Sequence, residues 1–427
     1  MFREGLHAQA IAAAEGLLAQ HPADEALKRL CANMHGMVQN YGRSLALLQE
    51  LRQAGREDAD LLFNIATCHE ALGNLDAAAG EYAGAARLAP QDDALLKKAT
   101  ALLLQLDRAE EGIALCRDVL RADPHNITAR LGAEWLLAQV VPLWHVPMVN
   151  EQERNQAYFD ALKAAVPGRG VLEIGTGSGL VAMMAAKLGA KQVVTCEAVP
   201  LVAQTAQAIV AANGLQDKVT VLAKPSYAVQ VPQDLPEKAD VLVHGIFSSE
   251  LLGENVLPAL EDAKARLLKP GGEILPGAAS IMVALVGGDE LGRELHVQES
   301  FGFDLRAFNA VNPRKRPIHR EDLPRVLLGE AVEAFRFDFR AASSFAPERK
   351  RLQLRATAAG RCWGVIQWIR FEFGGGVAFE NHPARQRPVA NWQHTIYRFG
   401  EPLELAVGDT VDVDASHDRS RPWFDKA

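Results

Sequence analysis

Val171-Leu172-Glu173-Ile174-Gly175-Thr176-Gly177-Ser178-Gly179, with Glu197 downstream, is the stretch whose reading decides the fold. An apolar run leads straight into three glycines at alternate positions, and a helical run, Leu180 to Leu188, comes next. Val193-Val194-Thr195-Cys196-Glu197 then reads as a second strand that ends in a carboxylate. A strand, a glycine turn, a helix and a parallel strand make the opening βαβ unit of a nucleoside-binding α/β sheet. Without a Cβ, the glycine backbone can approach a ligand closely. Glu197 lies twenty-two residues past Gly175, where a carboxylate can accept hydrogen bonds from both hydroxyls of a ribose.

The glycine spacing narrows the ligand. Dinucleotide sites favour G-x-G-x-x-G, whereas here the third glycine comes one residue early and Leu180 holds the place of the last small residue. G-x-G-x-G after an acidic residue resembles the first motif of S-adenosylmethionine-dependent methyltransferases. That resemblance implies S-adenosylmethionine as cofactor, bound by Gly175, Gly177 and Glu197, with Glu173 helping to orient its methionine part.

The first third of the chain is a repeat array. Leu72-Gly73 recurs as Leu106-Asp107 and Pro90 as Pro124, each 34 residues on. Carried backwards, Gly73 maps to Gln39 and Gly5, and Pro90 maps to Arg56 and Pro22. A 34-residue helix-turn-helix period resembles the tetratricopeptide (TPR) repeat. The best copy, Asp58 to Pro90, carries Ala66, Gly73 and Ala86 where paired helices are expected to approach closely, and its proline closes the second helix. About three and a half repeats fit residues 1–130, which implies a surface for a peptide or partner, or else a structural extension.

A linker is expected at Val140 to Pro147, then a helix ending near Val166. The α/β core spans 131–277 with that linker and closes on Leu267-Leu268-Lys269-Pro270-Gly271-Gly272-Glu273-Ile274-Leu275-Pro276, read as a helix end, a turn and a strand. From 278 to 427 the pattern changes to period two. Phe335, Phe337 and Phe339 alternate with charged residues, and Trp363 to Phe373 and Leu403 to Val413 behave similarly. That pattern predicts an antiparallel β barrel or sandwich. Pro313 to Arg320, rich in cations, reads as a solvated arm or loop within an insertion at 305–322, with a basic binding patch as the alternative.

Composition sets bounds. The 427 residues suit two or three domains. The formal charge of −8 argues against a nucleic-acid binder driven by phosphate contacts and is compatible with a basic peptide substrate. No apolar run is long enough to predict a membrane span. Met1 to Gly5 reads as opening a helix rather than a signal peptide. Five scattered cysteines without metal-ligand spacing suit a reducing, cytoplasmic compartment and no metal site.

Repeat array, methyltransferase-type core and β domain in this order resemble the protein arginine methyltransferases, and the branch that carries TPR repeats. In that family a helix covering the cofactor carries a Met near the transferred methyl and an Arg on the ligand carboxylate. Met148 and Arg154 match it, and a guanidinium fork suits a carboxylate. Lys224-Pro225-Ser226 sits where the family contacts adenine, which assigns Ser226. Asn391-Trp392-Gln393-His394 resembles the family's substrate-site loop, normally Thr-His-Trp, with Asn391 in place of His; Trp392 otherwise reads as β core.

The family's acceptor loop carries two glutamates nine residues apart that clamp the substrate guanidinium. Here Val243-His244-Gly245-Ile246-Phe247-Ser248-Ser249-Glu250-Leu251-Leu252-Gly253-Glu254 offers Glu254 for the second and Gly245 for the first. If the loop were helical, Glu250 and Glu254 would share a face and Glu250 would serve as a displaced clamp residue. Otherwise Glu250 is a surface charge. Three functions are compatible with these residues: an arginine methyltransferase acting on protein, a methyltransferase with a non-arginine acceptor, or an inactive TPR scaffold that binds S-adenosylmethionine. The family also pairs its cores through an arm, which implies a possible homodimer.

Overall fold

The computed structural model describes residues 6–318, 325–384 and 392–427. The expectations placed on Met1 to Gly5 and on Asn391 lie outside these residues, as does the end of the Pro313 to Arg320 segment. Two compact units divide the chain between Pro142 and Leu143.

The first unit is a stack of eight helices, α1 (His7–Gln20), α2 (Glu25–Met37), α3 (Tyr41–Gln53), α4 (Ala59–Ala71), α5 (Leu75–Leu88), α6 (Asp93–Gln105), α7 (Ala109–Ala122) and α8 (Ile127–Val140). Every second helix begins 34 residues after its counterpart, and the array continues to Val140, ten residues beyond the expected end. The period is written in the caps. Asp24, Asp58, Asp92 and Asn126 precede α2, α4, α6 and α8, and each side chain accepts the backbone N–H three residues on. Such a cap satisfies one of the orphan donors of a helix start and contributes about 1 kcal/mol. Ala66 and Ala86 are fully buried between helices as expected. Gly73 is not at such a contact: a Cβ there would meet nothing within 4 Å. Its φ of +78° shows its task instead, to end α4 in the left-handed conformation, as Gln39 and Asp107 do one repeat away on either side.

The second unit opens with α9 (His145–Asn150), where a linker was expected, and α10 (Gln152–Ala165). Next comes a parallel five-stranded sheet in the order β3-β2-β1-β4-β5. Its strands are β1 (Gly170–Ile174), β2 (Gln192–Glu197), β3 (Val219–Ala223), β4 (Ala239–His244) and β5 (Leu268–Leu275). Helices α11 (Leu180–Lys187), α12 (Pro200–Ala212) and α13 (Val256–Arg266) connect them. β1 and β2 are buried along almost their whole length, as a sheet covered on both faces requires. Pro270-Gly271-Gly272 does not separate a helix from a strand; it is a bulge inside β5, where the register on β4 slips between Ala239 and Val241. The strand order reverses between β1 and β4, and open α/β sheets bind ligands at the carboxyl ends of the strands beside such a switch point.

The remainder is antiparallel. It comprises β6 (Ala278–Gly287), α14 (Asp289–Leu295), β7 (Glu299–Ser300), β8 (Phe303–Asp304), a 3-10 turn (Arg306–Val311), β9 (Lys315–Ile318), β10 (Val326–Leu327) and β11 (Val332–Asp338). Then come β12 (Glu348–Arg355), β13 (Gly360–Gly374), β14 (Val377–Glu380), β15 (His394–Leu405), β16 (Thr410–His417) and β17 (Pro422–Lys426). Among the described residues, seven strands form one sheet, five along the path β10-β6-β13-β15-β9 with β11 paired to β6 and β14 to β13, and β12-β16-β17 form a second. Phe335, Phe337 and Phe339 point inward as the alternation predicts. The cationic segment is not a solvated arm where it is described. Lys315–Ile318 is the edge strand of the seven-stranded sheet, paired with Tyr397 to His394. Its cations are matched: Arg314 with Asp425 at 2.6 Å, Lys315 with Glu250 at 2.5 Å and Arg316 with Glu294 at 3.3 Å. One continuous core joins the α/β sheet to this domain, from Leu172 and Val243 through Ile281 and Phe371.

Candidate methyl-donor and acceptor site

The turn after β1 is built for close approach. Gly175, Gly177 and Gly179 all have positive φ. A Cβ on Gly175 would stand 2.6 Å from the Cγ2 of Ile246 in the loop after β4, so the two strand ends can meet only because position 175 is glycine. A Cβ on Gly177 would lie 3.8 Å from the Met148 methyl, which brings α9 over the same turn. At the end of β2, Glu197 accepts the Gly177 N–H at 3.0 Å and the Val199 N–H at 3.1 Å. The residues assigned to the donor from sequence, Met148, Gly175, Gly177 and Glu197, therefore form one cluster at the switch point. Ser226 lies just past β3, buried in a 3-10 turn.

Glu173 is buried beneath the turn and accepts the Thr195 hydroxyl at 2.6 Å. Burial pushes its carboxyl up to about 8, against the opposing pull of that hydroxyl and of the Arg154 charge.

Arg154 is the electrostatic centre. It is buried on α10 with its guanidinium 4.7 Å from the Tyr158 ring centre and 5.8 Å from that of Trp392. Nη1 donates to the Asn155 side chain at 3.0 Å, while Nε has no partner. No carboxylate lies within ion-pairing distance of it among the described residues. A Cβ on Gly245 would stand 3.0 Å from Arg154 Nη2, so position 245 faces this cation without bringing a carboxylate to it. A buried guanidinium with a spare donor has the chemistry to hold a carboxylate. Tyr158, not singled out from sequence, fixes the wall: its hydroxyl donates to the His244 carbonyl at 2.7 Å, and burial pushes its pKa up to about 12.

The loop after β4 is not helical. It runs as a turn closed by a bridge between Ser248 and Leu251, and α13 starts only at Val256. Glu250 and Glu254 therefore share no helix face. Glu250 is mostly buried and paired with Lys315, while Glu254 is exposed. Trp392 lies in the β core, one of its two expected settings, and also reaches the loop after β4. It packs edge-on against Phe371 and Phe379 in the core, and its Nε1 donates to the Phe247 carbonyl at 2.8 Å. Gln393 N–H to Ser249 Oγ (3.0 Å) and Gln367 Nε2 to Ser249 O (3.3 Å) complete the tie between the loop and the β domain. Gln367 and Lys315 carried no local signal, since each meets the loop from a distant strand.

The family described as ribosomal protein L11 methyltransferase matches residues 158–279, the α/β core. An arginine N(omega)-methyltransferase of Streptomyces achromogenes subsp. streptozoticus is 38% identical over 273 residues, covering 64% of this chain and 75% of that protein. The chain belongs to the arginine N-methyltransferase family. It is thus a methyltransferase that draws its methyl group from S-adenosylmethionine, and the glycine turn, Glu197 and Arg154 fit that cofactor's ribose and carboxylate. Protein arginine N-methyltransferase 7 of Drosophila yakuba is 30% identical over 324 residues, or 65% of this chain. This methyltransferase spans only 47% of that relative, about half its length. Among solved structures, the Trypanosoma brucei PRMT1 enzyme-prozyme heterotetrameric complex with AdoHcy gives a TM-score of 0.56 at 22% identity, over 64% of this chain and 89% of that one. Arabidopsis thaliana protein arginine methyltransferase 10 gives 0.52, also at 22% identity, over 63% and 86%. At that identity the two share its fold. No helix among the described residues is long and apolar enough to cross a membrane, and no group of metal-ligating residues occurs among them.

Proposed function

We propose that this chain methylates the guanidinium of an arginine in a protein or peptide, with the acceptor held over the carboxyl ends of β1 and β4. The observation that carries the reading is the convergence of Arg154, Tyr158, Trp392 and the loop at Gly245 beside the Gly175 turn. S-adenosylmethionine supplies an electrophilic methyl on a sulfonium. Arg154 takes its carboxylate, Glu197 its ribose hydroxyls, Ser226 lies on the adenine side, Glu173 steadies the methionine part, and Met148 closes the crevice from α9. Glu254 receives the acceptor guanidinium, whose charge persists at any physiological pH. The carboxylate neutralises that charge, fixes its orientation and concentrates electron density on the nitrogen to be methylated. Trp392 sets one wall of the acceptor site and orders the loop. Rate then comes from orientation and preorganised charge.

The N-terminal array acts as a TPR surface that recruits a partner or the substrate protein. Phe301, Phe303, Phe308 and Val311 stand exposed around β7 and β8, a segment suited to pairing two copies as a homodimer. Five free, buried cysteines suit a cytoplasmic protein. A second acceptor, free arginine, is favoured by the Streptomyces relative, whose name specifies arginine without specifying protein. Incubation with labelled donor and either an arginine-containing peptide or L-arginine, followed by acid hydrolysis, decides. Methylarginine from the peptide supports the first reading and from L-arginine alone the second. Donor binding without transfer to either refutes both.

A further inference from the structure

The basic segment Arg314 to Arg316 is left unused by the donor and acceptor assignments, yet its central residue reaches the acceptor loop. We propose that Lys315 is a positioning residue: through its ion pair with Glu250 it anchors the distal half of the loop, residues 250–254, to the β domain, so that Glu254 is presented to the acceptor. This rests on the reading of Glu254 as the acceptor's carboxylate.

Three ties to the β domain hold the first half of the loop, at the Phe247 carbonyl, the Ser249 hydroxyl and the Ser249 carbonyl. Beyond Ser249 the polar tie to that domain among the described residues is Glu250 Oε1 to Lys315 Nζ at 2.5 Å, with both side chains largely buried. Lys315 is itself fixed. It sits on β9 opposite Tyr397 of β15, and its ammonium lies 5.8 Å from the centre of the Tyr397 ring.

The backbone just past Glu250 needs such an anchor. Leu251 is fully buried with a φ of +74°, and Asn255 has a φ of +55°. A bulky residue persists in the left-handed region only where its surroundings over-determine it. Inside the turn, Ser248 Oγ accepts the N–H groups of Glu250 (3.3 Å) and Gly253 (2.9 Å), and a Cβ on Gly253 would stand 2.8 Å from that oxygen. Glu250 is thus coupled through Ser248 to Gly253, the immediate neighbour of Glu254. The Glu250 carboxylate is already neutralised by an ammonium, which fits a strut and not an open clamp for a guanidinium.

The test uses the full chain with Lys315→Met, Lys315→Arg, Glu250→Gln, the double Lys315→Met/Glu250→Gln and the charge reversal Lys315→Glu/Glu250→Lys. Each single loss should lower kcat on an arginine peptide about tenfold or more, since small misplacements of reacting groups cost about that much or beyond. Donor Kd should stay within about twofold, the double variant should be no worse than either single one, and Lys315→Arg and the reversal should recover activity. Amide hydrogen exchange should rise across 250–255 in Lys315→Met and not in β1 or β4. Unchanged exchange there overturns the proposal even for a protein that methylates neither acceptor, which separates its failure from that of the proposed function. Wild-type kcat in Lys315→Met also overturns it, as does a Glu250→Gln loss that is larger and adds to that of Lys315→Met, because Glu250 would then act on the acceptor itself.

Discussion

Gly245→Glu introduces a carboxylate nine residues before Glu254, and the geometry around position 245 sets its cost and gain. Gly245 is not in the left-handed region, so a side chain brings no backbone strain. Its Cβ would stand 3.4 Å from Tyr158 Oη, an ordinary contact, and 3.0 Å from Arg154 Nη2, the end of a long side chain, where a shift of a few tenths of an ångström accommodates it. The new carboxylate meets the Nη2 corner of the buried guanidinium, and Nε, which lacks a partner, stays open for the donor carboxylate. A hydrogen bond to a charged group contributes about 1.5–3 kcal/mol, and ordering a glutamate costs about 1.5 kcal/mol. The net is about 1 kcal/mol of added stability, or about 2–4 °C in Tm for a unit of this size. The second carboxylate oxygen remains for the acceptor. One further charged hydrogen bond in the transition state, about 1.5–3 kcal/mol, raises kcat/KM on an arginine peptide about ten- to a hundredfold. Differential scanning calorimetry and steady-state transfer with labelled donor measure both. A lower Tm with no gain in kcat/KM refutes the placement of Gly245 beside Arg154 and the acceptor.

Glu197→Ala should weaken donor binding by at least about tenfold in calorimetry, since a lost charged hydrogen-bond acceptor costs about 1.5–3 kcal/mol; unchanged affinity removes the ribose assignment. Glu254→Gln should reduce transfer to arginine by about a hundredfold or more while donor Kd holds, and equal loss of both would place Glu254 on the donor instead. Glu173, raised to about 8, binds a proton in the folded state that it lacks when unfolded between its ordinary value and 8. Its contribution to stability is therefore fully present at acid pH and lost as pH rises through about 8. Glu173→Gln should flatten that slope in thermal melts taken from pH 6 to 9, and an unchanged slope would show that the carboxyl is ionised throughout.

Much of this architecture is local and therefore legible in the sequence. The glycine turn, Glu197 twenty-two residues on and the 34-residue period are each set by near neighbours, and each matches a turn, a strand end or a helix start. Where the reading failed, the deciding contact was remote. Lys315 looks like one of several solvated cations until β15 places it on Glu250, a carboxylate sixty-five residues away in the chain. The loop to Glu254 has helix-compatible spacing, but its ties to Trp392, Gln393 and Gln367 hold it as a turn. Gly73 was misread for a different reason: small size and conformational freedom leave the same letter in the sequence, and only a measured φ tells them apart.

The capping aspartates of the first unit make it editable. Excising residues 59–92 would join Asp58 to Asp93, so that the carboxylate now starting α4 would start α6 with the same geometry. Because each tile of such a stack leans only on its neighbours, one can be spliced out or duplicated without rewriting the rest. The reach of the array is in that sense adjustable, in steps of 34 residues, while the chemistry downstream keeps its own frame.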